Sequence, residues 1–438
     1  MLHSFNSHIN KSLPFLNEAK LLIAISGGLD SVVLTHLCHQ LKLNVALAHC
    51  NFNLRGIESD ADETFVVNLA EQLGLEIFTQ HFNTEAYAKQ QKLSTQMAAR
   101  ELRYDWFYNL AEDLKFDYIL TAHHADDNLE TFLINLTRVT GLSGLTGIPE
   151  INDIIVRPLL PFSREDIEGY ANLNNYEWRE DSSNASDKYL RNKLRHHVIP
   201  VLKEVNPELL ANFKQTLENL NDTADIVDES LNAVAKRAID TINEQQIAFK
   251  ISEFKKVNNP KAYMYEMFKD YGFTEWSDIV HLLDAQSGKQ VRSKTHRLIK
   301  DRVHLILTEL PSENEQSLSI HEDDLSFQTP MGMLSFDDVD AVSKPTDMSI
   351  FVDKDVLKFP LVLRHWEEGD TFYPLGMTGK KKLSKYFKDE KLSLVDKENT
   401  WLLCSDNAIV WIVGMRADSR FKVTDQTRRI LKITMDLD

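Results

Sequence analysis

Short apolar runs alternate with helical patterns over residues 1–205 of the chain. Five of these runs predict strands, at 21–25, 44–49, 75–81, 117–122 and 154–156. Between them, apolar residues recur at helical spacing, for example over 60–73 and 94–113. Strands that alternate with helices predict an α/β fold built on a doubly wound parallel sheet. Ligands bind such sheets beyond the carboxyl ends of the strands.

The pattern changes beyond residue 205. Apolar residues at helical spacing predict a mostly helical domain over 206–310. Residues 311–324 are acidic and weakly apolar, which is typical of a linker. Short β-like runs such as 361–363 and 408–413, with Gly, Pro and Asp between them, predict a small α+β domain over 325–438.

The composition is that of a soluble, multi-domain protein of a reducing compartment. A chain of 438 residues is too long for one ordinary core. No apolar run approaches the roughly 18 residues of a membrane span, and residues 1–20 lack a signal peptide pattern, so we expect a cytoplasmic protein without a membrane partner. Cys38, Cys50 and Cys404 are scattered, which argues against structural zinc and against a dithiol redox site.

The charge distribution bears on nucleic-acid binding. A formal net charge of −17 disfavours a DNA-binding module, because phosphate contacts need Lys and Arg. Three local stretches are nevertheless basic, at 188–197, 289–302 and 379–391. Each alone is typical of a solvated face, but together they make RNA binding plausible.

The loop Ser26-Gly27-Gly28-Leu29-Asp30-Ser31 directly follows the apolar run 21–25 and precedes an apolar-rich helix. Two glycines allow close approach of a ligand to the backbone, and the N–H groups at the helix start form an anion nest with the serine hydroxyls. Asp30 in such a nest suits Mg²⁺ arriving with phosphates. The loop lacks the Gly-Lys-Ser/Thr of a Walker motif and resembles the Ser-Gly-Gly-x-Asp-Ser loop of the pyrophosphate-loop ATPases.

A second polar cluster, His123-His124-Ala125-Asp126-Asp127-Asn128-Leu129-Glu130, follows the predicted strand 117–122 and opens a helix. Asp127 and Glu130 share one helical face. Helix capping explains one acid, but not two histidines followed by three carboxylates. These side chains could alternatively bind zinc, although no further set of Cys and His residues has the spacing of zinc ligands. Carboxylates opposite a phosphate nest suit Mg²⁺ or a cationic substrate.

An ordered set of motifs makes the chain similar to the tRNA(Ile)-lysidine synthetase family over most of its length. These motifs are AHCNFNLRG at 48–56, SD at 59–60, ARELRY at 99–104, GLSGL at 141–145, RPLL at 157–160, DSSN at 181–184, RNKLR at 191–195, GDTFYPLG at 369–376 and KKKL at 380–383. The segment His49-Cys50-Asn51-Phe52 departs from the family's usual His-x-Asn-His.

The resemblance implies a two-step ligation with ATP as co-substrate. ATP would adenylate the wobble cytidine of an isoleucine tRNA with a CAU anticodon, releasing pyrophosphate. The side-chain amine of L-lysine would then displace AMP and leave lysidine. The regions 206–310 and 325–438 would bind tRNA, and a homodimer is compatible with the family.

The resemblance also implies roles for particular residues. ATP would contact Ser26, Gly27, Gly28, Leu29, Asp30, Ser31 and His49, while Mg²⁺ would be held by Asp30 and Asp126. Asp127 and Glu130 match positions tied to lysine recognition, and the reaction would use Asp30, Asp127, Glu130, Arg100 and His123. tRNA would contact Arg191, Arg195, Lys380, Lys381 and Lys382.

Two aspects of the chemistry stay open at this point. The lysine ε-amine must lose a proton before it attacks, and either His123 or a carboxylate could accept it. Arg100 and Arg103 lie one helical turn apart and can stabilise phosphate charge, although a solvated helix face explains Arg103 equally well.

Three other functions are weighed against the ligase. A tRNA thiolase of the same superfamily normally needs paired cysteines or an iron–sulfur site, a spacing that this chain does not have. An amide-forming relative would need a glutaminase domain, for which there is no room before residue 21. A non-enzymatic RNA-binding relative is expected to have lost Asp30 or the pair Asp127 and Glu130, and all three are present.

Overall fold

The fold was analysed in a computed structural model, which describes residues 1–180, 190–243, 245–310, 317–343, 346 and 348–437. These residues form two compact units, Met1–Glu229 and Ser230–Asp438. No helix among the described residues is long and apolar enough to cross a membrane.

The helices and strands of the N-terminal unit follow the alternation predicted from the sequence. Its strands are β1 (Lys20–Ala24), β2 (Asn44–Asn51), β3 (Ile77–His81), β4 (Tyr118–Leu120), β5 (Ile151–Asn152) and β6 (Ile155–Val156). Its helices are α1 (Leu2–Ser12), α2 (Leu29–Gln40), α3 (Ile57–Leu73), α4 (Thr84–Gln91), α5 (Thr95–Leu114), α6 (Ala125–Leu136), α7 (Arg164–Leu173), α8 (Leu190–Lys193) and α9 (Ile199–Val205). The long helix α10 (Leu209–Ala238) leads from this unit into the next.

The strands of the N-terminal unit form one six-stranded sheet in the order β3-β2-β1-β4-β6-β5. All neighbouring pairs are parallel except the edge pair of β5 and β6. The chain leaves β1 on one side toward β2 and β3 and returns on the other side to β4. The carboxyl ends of β1 and β4 therefore border the switch point, where ligands bind in sheets of this kind.

Both faces of this sheet are covered, which explains the uninterrupted apolar run in β1. Leu21 and Ile23 point into a core formed with α1, α2 and α7. Leu22 points to the opposite face, where α5 contributes Phe107 and Ala111. Successive side chains of a strand alternate between faces, so a strand buried on both sides is apolar at every position. Full burial of each such side chain stabilises the fold by roughly 1.5–3 kcal/mol.

The C-terminal unit contains more strands than the sequence pattern indicated. It begins with a five-stranded antiparallel sheet in the order β7-β8-β11-β10-β9. Its strands are β7 (Ile239–Ile242), β8 (Gln246–Lys250), β9 (Gln290–Arg292), β10 (His296–Asp301) and β11 (His304–Glu309). The helices α11 (Ile251–Lys256), α12 (Pro260–Phe268) and α13 (Trp276–His281) contribute side chains to the core of this sheet.

The last part of the chain forms two four-stranded sheets, ordered β12-β16-β19-β20 and β13-β14-β21-β15, and a small pair, β17 with β18. Their strands are β12 (Leu318–Ile320), β13 (Ser326–Thr329), β14 (Gly332–Val339), β15 (Ser349–Asp353), β16 (Leu361–His365), β17 (Thr371–Phe372), β18 (Lys381–Lys382), β19 (Trp401–Ser405), β20 (Ala408–Ile412) and β21 (Ile430–Leu437). The two larger sheets share one core, with Leu403 and Trp411 from the first and Phe336 and Ile433 from the second. Helix α14 (Leu383–Asp389) covers the other face of the first sheet, and α15 (Leu394–Glu398) follows it.

The predicted fold class is confirmed, with an α/β domain first and strand-rich domains at the end. The five predicted strands of 1–205 all form, with ends shifted by up to two residues. Two details differ from the prediction. The region 206–310 contains the five-stranded sheet in addition to helices, and Leu318–Ile320, inside the predicted linker, is strand β12. Residues 311–316 of that linker lie outside the described residues.

Candidate active site

The loop after β1 contains a glycine in the left-handed conformation. Gly27 adopts a φ of +86°, and a Cβ at this position would lie 3.3 Å from Cγ1 of Val66. The conformation therefore favours glycine, and a larger side chain would also crowd Val66 of α3. The Ser31 hydroxyl accepts a hydrogen bond from the N–H of Ser26 at 3.2 Å and donates to the carbonyl of Gly28 at 2.9 Å. These bonds hold the loop over the N-terminus of α2, where N–H groups attract phosphate.

Asp30 lies in the first turn of α2, with its carboxylate held by two basic groups. Nη1 of Arg164 lies 3.3 Å from its Oδ2, and Nε2 of His124 lies 3.7 Å from the same oxygen. Burial raises the pKa of Asp30, although both partners act in the opposite direction. The carboxylate thus belongs to a network that connects the loop to the N-terminus of α6.

His124 is the centre of this network. Its side chain is 1% exposed, and its ring lies between Asp30 and two carboxylates of α6. Nε2 is 3.3 Å from Oδ2 of Asp127, and Nδ1 is 3.8 Å from Oδ2 of Asp126. The same Asp127 oxygen accepts the backbone N–H of His124 at 3.1 Å, which caps α6. The imidazole therefore separates Asp30 from Asp126.

Glu130, one turn further along α6, is bound by two arginines, Arg191 and Arg195. Arg195 binds it through two parallel bonds, Nε to Oε1 at 2.6 Å and Nη2 to Oε2 at 3.0 Å. Nε of Arg191 reaches Oε2 at 3.0 Å, and Nη2 of Arg195 also lies 3.2 Å from Oδ1 of Asp127. Burial raises the pKa of Glu130 against the effect of Arg195. The two arginines predicted to contact tRNA thus hold the two carboxylates predicted to bind lysine.

Asp126 faces a different set of partners from Asp127. Its Oδ1 accepts a hydrogen bond from Nζ of Lys203 at 2.7 Å, and its Oδ2 accepts the backbone N–H of Arg164 at 2.8 Å. Burial acts against ionisation, but these two bonds lower the pKa of Asp126 overall. In the structure Asp126 joins α6, α7 and α9, so its oxygens are engaged by protein groups rather than directed to the loop.

Two histidines at strand ends are held neutral by their surroundings. His123 follows β4, and burial lowers its pKa to about 4; its Nδ1 lies 3.0 Å from the hydroxyl of Thr121. His49 lies in β2, and burial lowers its pKa as well; its Nδ1 lies 2.9 Å from the carbonyl of Ile25. At neutral pH each imidazole has a nitrogen that can accept a hydrogen bond or a proton.

Two cavities adjoin the loop, and six residues line both of them: Ala24, Ser26, Arg55, Asp62, Arg103 and Phe107. The first, of about 720 Å³, extends toward α6 and contains Asp30, His123 and Asp127, with the arginines 164, 179, 191 and 195. The second, of about 600 Å³, extends along the end of β2 and is lined by His49, Asn51 and Phe52. The larger cavity therefore joins an anion-binding loop, a carboxylate, a neutral imidazole and several guanidinium groups.

The comparisons with known proteins agree with this arrangement. Three family models match the chain: a PP-loop domain at residues 1–202, a TilS substrate binding domain at 242–310 and a TilS substrate C-terminal domain at 361–433. The tRNA(Ile)-lysidine synthase of Parabacteroides distasonis is 40% identical over 98% of this chain and 99% of that protein. The chain belongs to the tRNA(Ile)-lysidine synthase family.

Two further similarities complete the comparison. The synthase of the same name from Bacteroides thetaiotaomicron is 38% identical over 97% of each chain. The U34-tRNA thiolase NcsA from Methanococcus maripaludis, solved with its [4Fe-4S] cluster, superimposes with a TM-score of 0.42 at 18% identity. That alignment covers 50% of this chain and 78% of the thiolase.

Some of the site residues predicted from the sequence of this lysidine synthase family member line the two cavities, and others do not. The structure brings the loop, His123 and Asp127 together at one cavity, with His49 at the adjoining cavity. Glu130 does not line these cavities and lies behind Arg195. Arg100 does not line them either; its guanidinium stacks on the ring of Tyr104 at 4.7 Å, whereas Arg103 faces both cavities. The motif 181–184 lies outside the described residues.

The lysine-rich segment near the end of the chain is only partly exposed. Lys380 and Lys382 are exposed, whereas Nζ of Lys381 lies 2.8 Å from Oδ2 of Asp389. The aromatic residues of this segment, Tyr386 and Phe387, are buried in the core beneath α14. The exposed lysines of this segment can therefore contact RNA phosphates, whereas its two buried aromatic rings cannot stack on bases.

Among the cavity residues that sequence reasoning did not single out are Arg55, Asp62, Arg164 and Arg179. Arg55 stands within the motif 48–56, and this position could have been singled out. Arg164 and Arg179 come from regions far along the chain, and no local pattern marks them.

Proposed function

We propose that this protein ligates L-lysine to the wobble cytidine of the CAU anticodon of an isoleucine tRNA. In the first step, ATP adenylates the base carbonyl and pyrophosphate leaves. In the second, the lysine ε-amine attacks the same carbon, AMP leaves, and lysidine remains. One observation carries the proposal: the phosphate-binding loop and the carboxylate of Asp127 line one cavity in a chain of the lysidine synthase family.

In this proposal, the nucleotide is held with its phosphates against the loop. N–H groups at the start of α2 and the serine hydroxyls stabilise charge as it develops on the leaving pyrophosphate. Arg103 and Arg164 face the cavity from two sides and supply further positive charge. The adjoining cavity lined by His49 would take the nucleoside.

The residues fit Mg²⁺ only as an ion that arrives with the nucleotide. No group of three or more His, Cys, Asp or Glu side chains in the described part of the chain is arranged to hold a metal alone. Mg²⁺ commonly binds through one or two carboxylates together with substrate phosphates, and Asp30 lies where it can supply such a carboxylate. When bound, the ion would neutralise phosphate charge. Asp126 stays a predicted ligand, although both its oxygens have protein partners.

For lysine, the carboxylate of Asp127 lines the cavity, where Arg195 and His124 also contact it, and it would bind an ammonium group of the substrate. Glu130 would act behind it by holding Arg195 in place. His123 is neutral at pH 7 because burial lowers its pKa to about 4, so its imidazole can accept the proton that the ammonium group must lose. A pKa this low makes it a weak base, and Asp127 remains the alternative acceptor.

The thiolase alternative is disfavoured by the state of the cysteines. Burial raises the pKa of Cys38 and of Cys50 to about 12, and that of Cys404 to about 11. Catalytic thiols have lowered pKa values, because the thiolate is the reactive form. These three cysteines are therefore protonated at neutral pH and unsuited to act as the thiolates of a sulfur-transfer reaction.

The test is lysine incorporation by the full-length protein. We would incubate it with ATP, Mg²⁺ and labelled lysine, using isoleucine tRNA transcripts with a CAU or a GAU anticodon. Incorporation into the CAU transcript only is expected, and incorporation into neither would refute the proposal. Asp30→Ala should abolish turnover, whereas Asp113→Ala, an exposed acid on α5 outside both cavities, should not. Titration of ATP binding with Mg²⁺ by calorimetry gives a second readout for Asp30.

A further inference from the structure

The five-stranded sheet of the C-terminal unit is covered on one face by a short helix from much further along the chain. Ile299 of β10 and Ile306 of β11 are buried against Val395 of α15. The other face of the sheet has its own core, to which α11, α12 and α13 contribute. The sheet and its helices form the middle domain (239–309), and α15 belongs to the last domain (317–437). The two domains therefore share an apolar contact.

A buried ion pair lies beside this apolar contact. Nη2 of Arg297, on β10, binds Oε2 of Glu398, the last residue of α15. The side chain of Arg297 is 4% exposed and its Nε has no hydrogen-bond partner, so among the described residues Glu398 is the carboxylate that compensates its charge. Nδ2 of Asn399 also donates to Oε1 of Gln245 at 3.1 Å. A buried guanidinium is stable only with a partner, so the pair favours one docking geometry.

The ion pair connects two of the basic stretches noted in the sequence. Arg297 lies inside the stretch 289–302, which contains β9 and β10. Glu398 lies shortly after the stretch 379–391, which contains α14. Each stretch carries exposed cations whose side chains have no ion-pair partner among the described residues: Lys289, Arg292, Lys294 and Arg302 in the first, and Lys380 and Lys382 in the second. The two cationic groups therefore belong to elements that the pair joins.

Rigid attachment changes how two cationic surfaces bind one polyanion. Two domains of one chain ordinarily move relative to each other, and each would then have to find the same molecule separately. A fixed spacing that matches the phosphates removes this cost, because the second contact forms without a further search. Folded RNA is recognised largely by its shape and through phosphate contacts, so the spacing between cationic groups itself carries selectivity.

We propose that the ion pair of Arg297 and Glu398 fixes the middle and last domains as one body, so that the two basic stretches contact a single RNA at a set spacing. Both members of the pair are positioning residues, and the exposed cations make the contacts. The inference rests on the proposed function for the identity of the RNA, whereas the docking concerns the protein alone. Loss of the pair should therefore weaken RNA binding without removing a phosphate contact.

Hydrogen exchange of the full-length protein measures the docking without RNA. In Glu398→Gln, amides of α15 and β10 should exchange at least tenfold faster than in wild type, because Arg297 is left buried without a charged partner. The double variant Arg297→Met, Glu398→Met removes both charges and should exchange within threefold of wild type. Glu368→Gln is the matched control, since it removes the same charge from an exposed side chain of the last domain.

RNA binding supplies the second measurement. The dissociation constant for the isoleucine tRNA transcript with a CAU anticodon is determined over a range of salt concentrations, without ATP or lysine. In Glu398→Gln it should rise at least tenfold while the slope of log affinity against log salt stays unchanged. Changing Lys289 and Lys294 to Gln should instead lower that slope by about two. The double methionine variant should bind the transcript like wild type.

Three outcomes would overturn the inference. Unchanged exchange in Glu398→Gln would show that the pair does not hold the domains together. Faster exchange with unchanged RNA affinity would show that the two stretches bind independently. A lower salt slope in Glu398→Gln would show that phosphate contacts were lost together with the fold.

Failure of the inference and failure of the proposed function give different results. If the exchange and binding results are as expected but no lysine is incorporated, the proposed function fails and the docking of the two domains stands. If lysine is incorporated into the CAU transcript and Glu398→Gln behaves like wild type in both assays, the proposed function stands and the inference is wrong.

Discussion

Glu130→Gln is the substitution for which the structure predicts the clearest effect. Glutamine keeps the size of the side chain and one acceptor oxygen, but removes the negative charge. The carboxylate is 1% exposed and binds Arg195 through two bonds and Arg191 through one. The change therefore leaves two guanidinium groups facing a buried neutral amide.

The expected loss of stability follows from the burial of the pair. Removing one partner of a buried ion pair costs about 3–5 kcal/mol. Arg195 retains a second carboxylate, Asp127, at 3.2 Å, so we take the lower end, about 3 kcal/mol. One kcal/mol shifts the melting temperature of a domain of about this size by roughly 2–4 °C. The N-terminal unit, Met1–Glu229, should then melt about 6–12 °C lower.

A double-mutant cycle with Arg195→Gln measures the interaction itself. Full-length wild type, the two single variants and the double variant are compared by scanning calorimetry and by steady-state kinetics. If Glu130 acts by holding Arg195, the double variant should be about as stable as either single variant, with a coupling energy of about 2 kcal/mol or more. Both single variants should then change the KM for lysine and kcat in the same pattern.

Two results would refute this reasoning. If Glu130→Gln lowers the melting temperature by less than 2 °C, the ion pair is not buried as the structure has it. A rise in the KM for lysine in Glu130→Gln that Arg195→Gln does not reproduce would show that Glu130 binds the substrate directly, as the sequence alone predicted.

Three further predictions follow from the charges of the site and of the C-terminal unit. Asp30→Ala should reduce turnover by a hundredfold or more in the lysine-incorporation assay while circular dichroism stays unchanged, because the residue lies at a cavity. Changing Lys380 and Lys382 to Ala should raise the KM for tRNA and lower the slope of log affinity against log salt by about two, whereas Lys381→Ala, whose ammonium is paired with Asp389, should have a smaller effect. Burial lowers the pKa of His123 to about 4, so the unfolded chain takes up the proton first as pH falls below 6.5, and stability decreases. In urea denaturation, the stability of wild type relative to His123→Asn should therefore fall by about 3 kcal/mol between pH 7 and pH 4, and an unchanged difference would contradict the assigned burial.

Much of the N-terminal unit is determined by local sequence. The apolar run before Ser26 predicts a strand buried on both faces, and the two glycines predict the loop, because both signals depend on residues adjacent in the chain. Motif order likewise indicated the family that the comparisons show. The strands of 239–309 were not predicted, because their apolar residues do not alternate regularly and antiparallel pairing depends on partners elsewhere in the chain.

The partners of the charged residues were decided only by the tertiary structure. From sequence, Glu130 was expected to face lysine and Arg195 to face tRNA, yet the fold pairs them across 65 residues of chain. Asp62 joins Arg55 and Arg179 in the same way. A buried charge is stable only with a partner, and side-chain type specifies that a partner is needed without specifying which residue supplies it. The tertiary fold fixes that choice by bringing Arg179 to Asp62 on α3 and Arg195 to Glu130 on α6. These partners are distant in the chain, so local sequence patterns do not identify them.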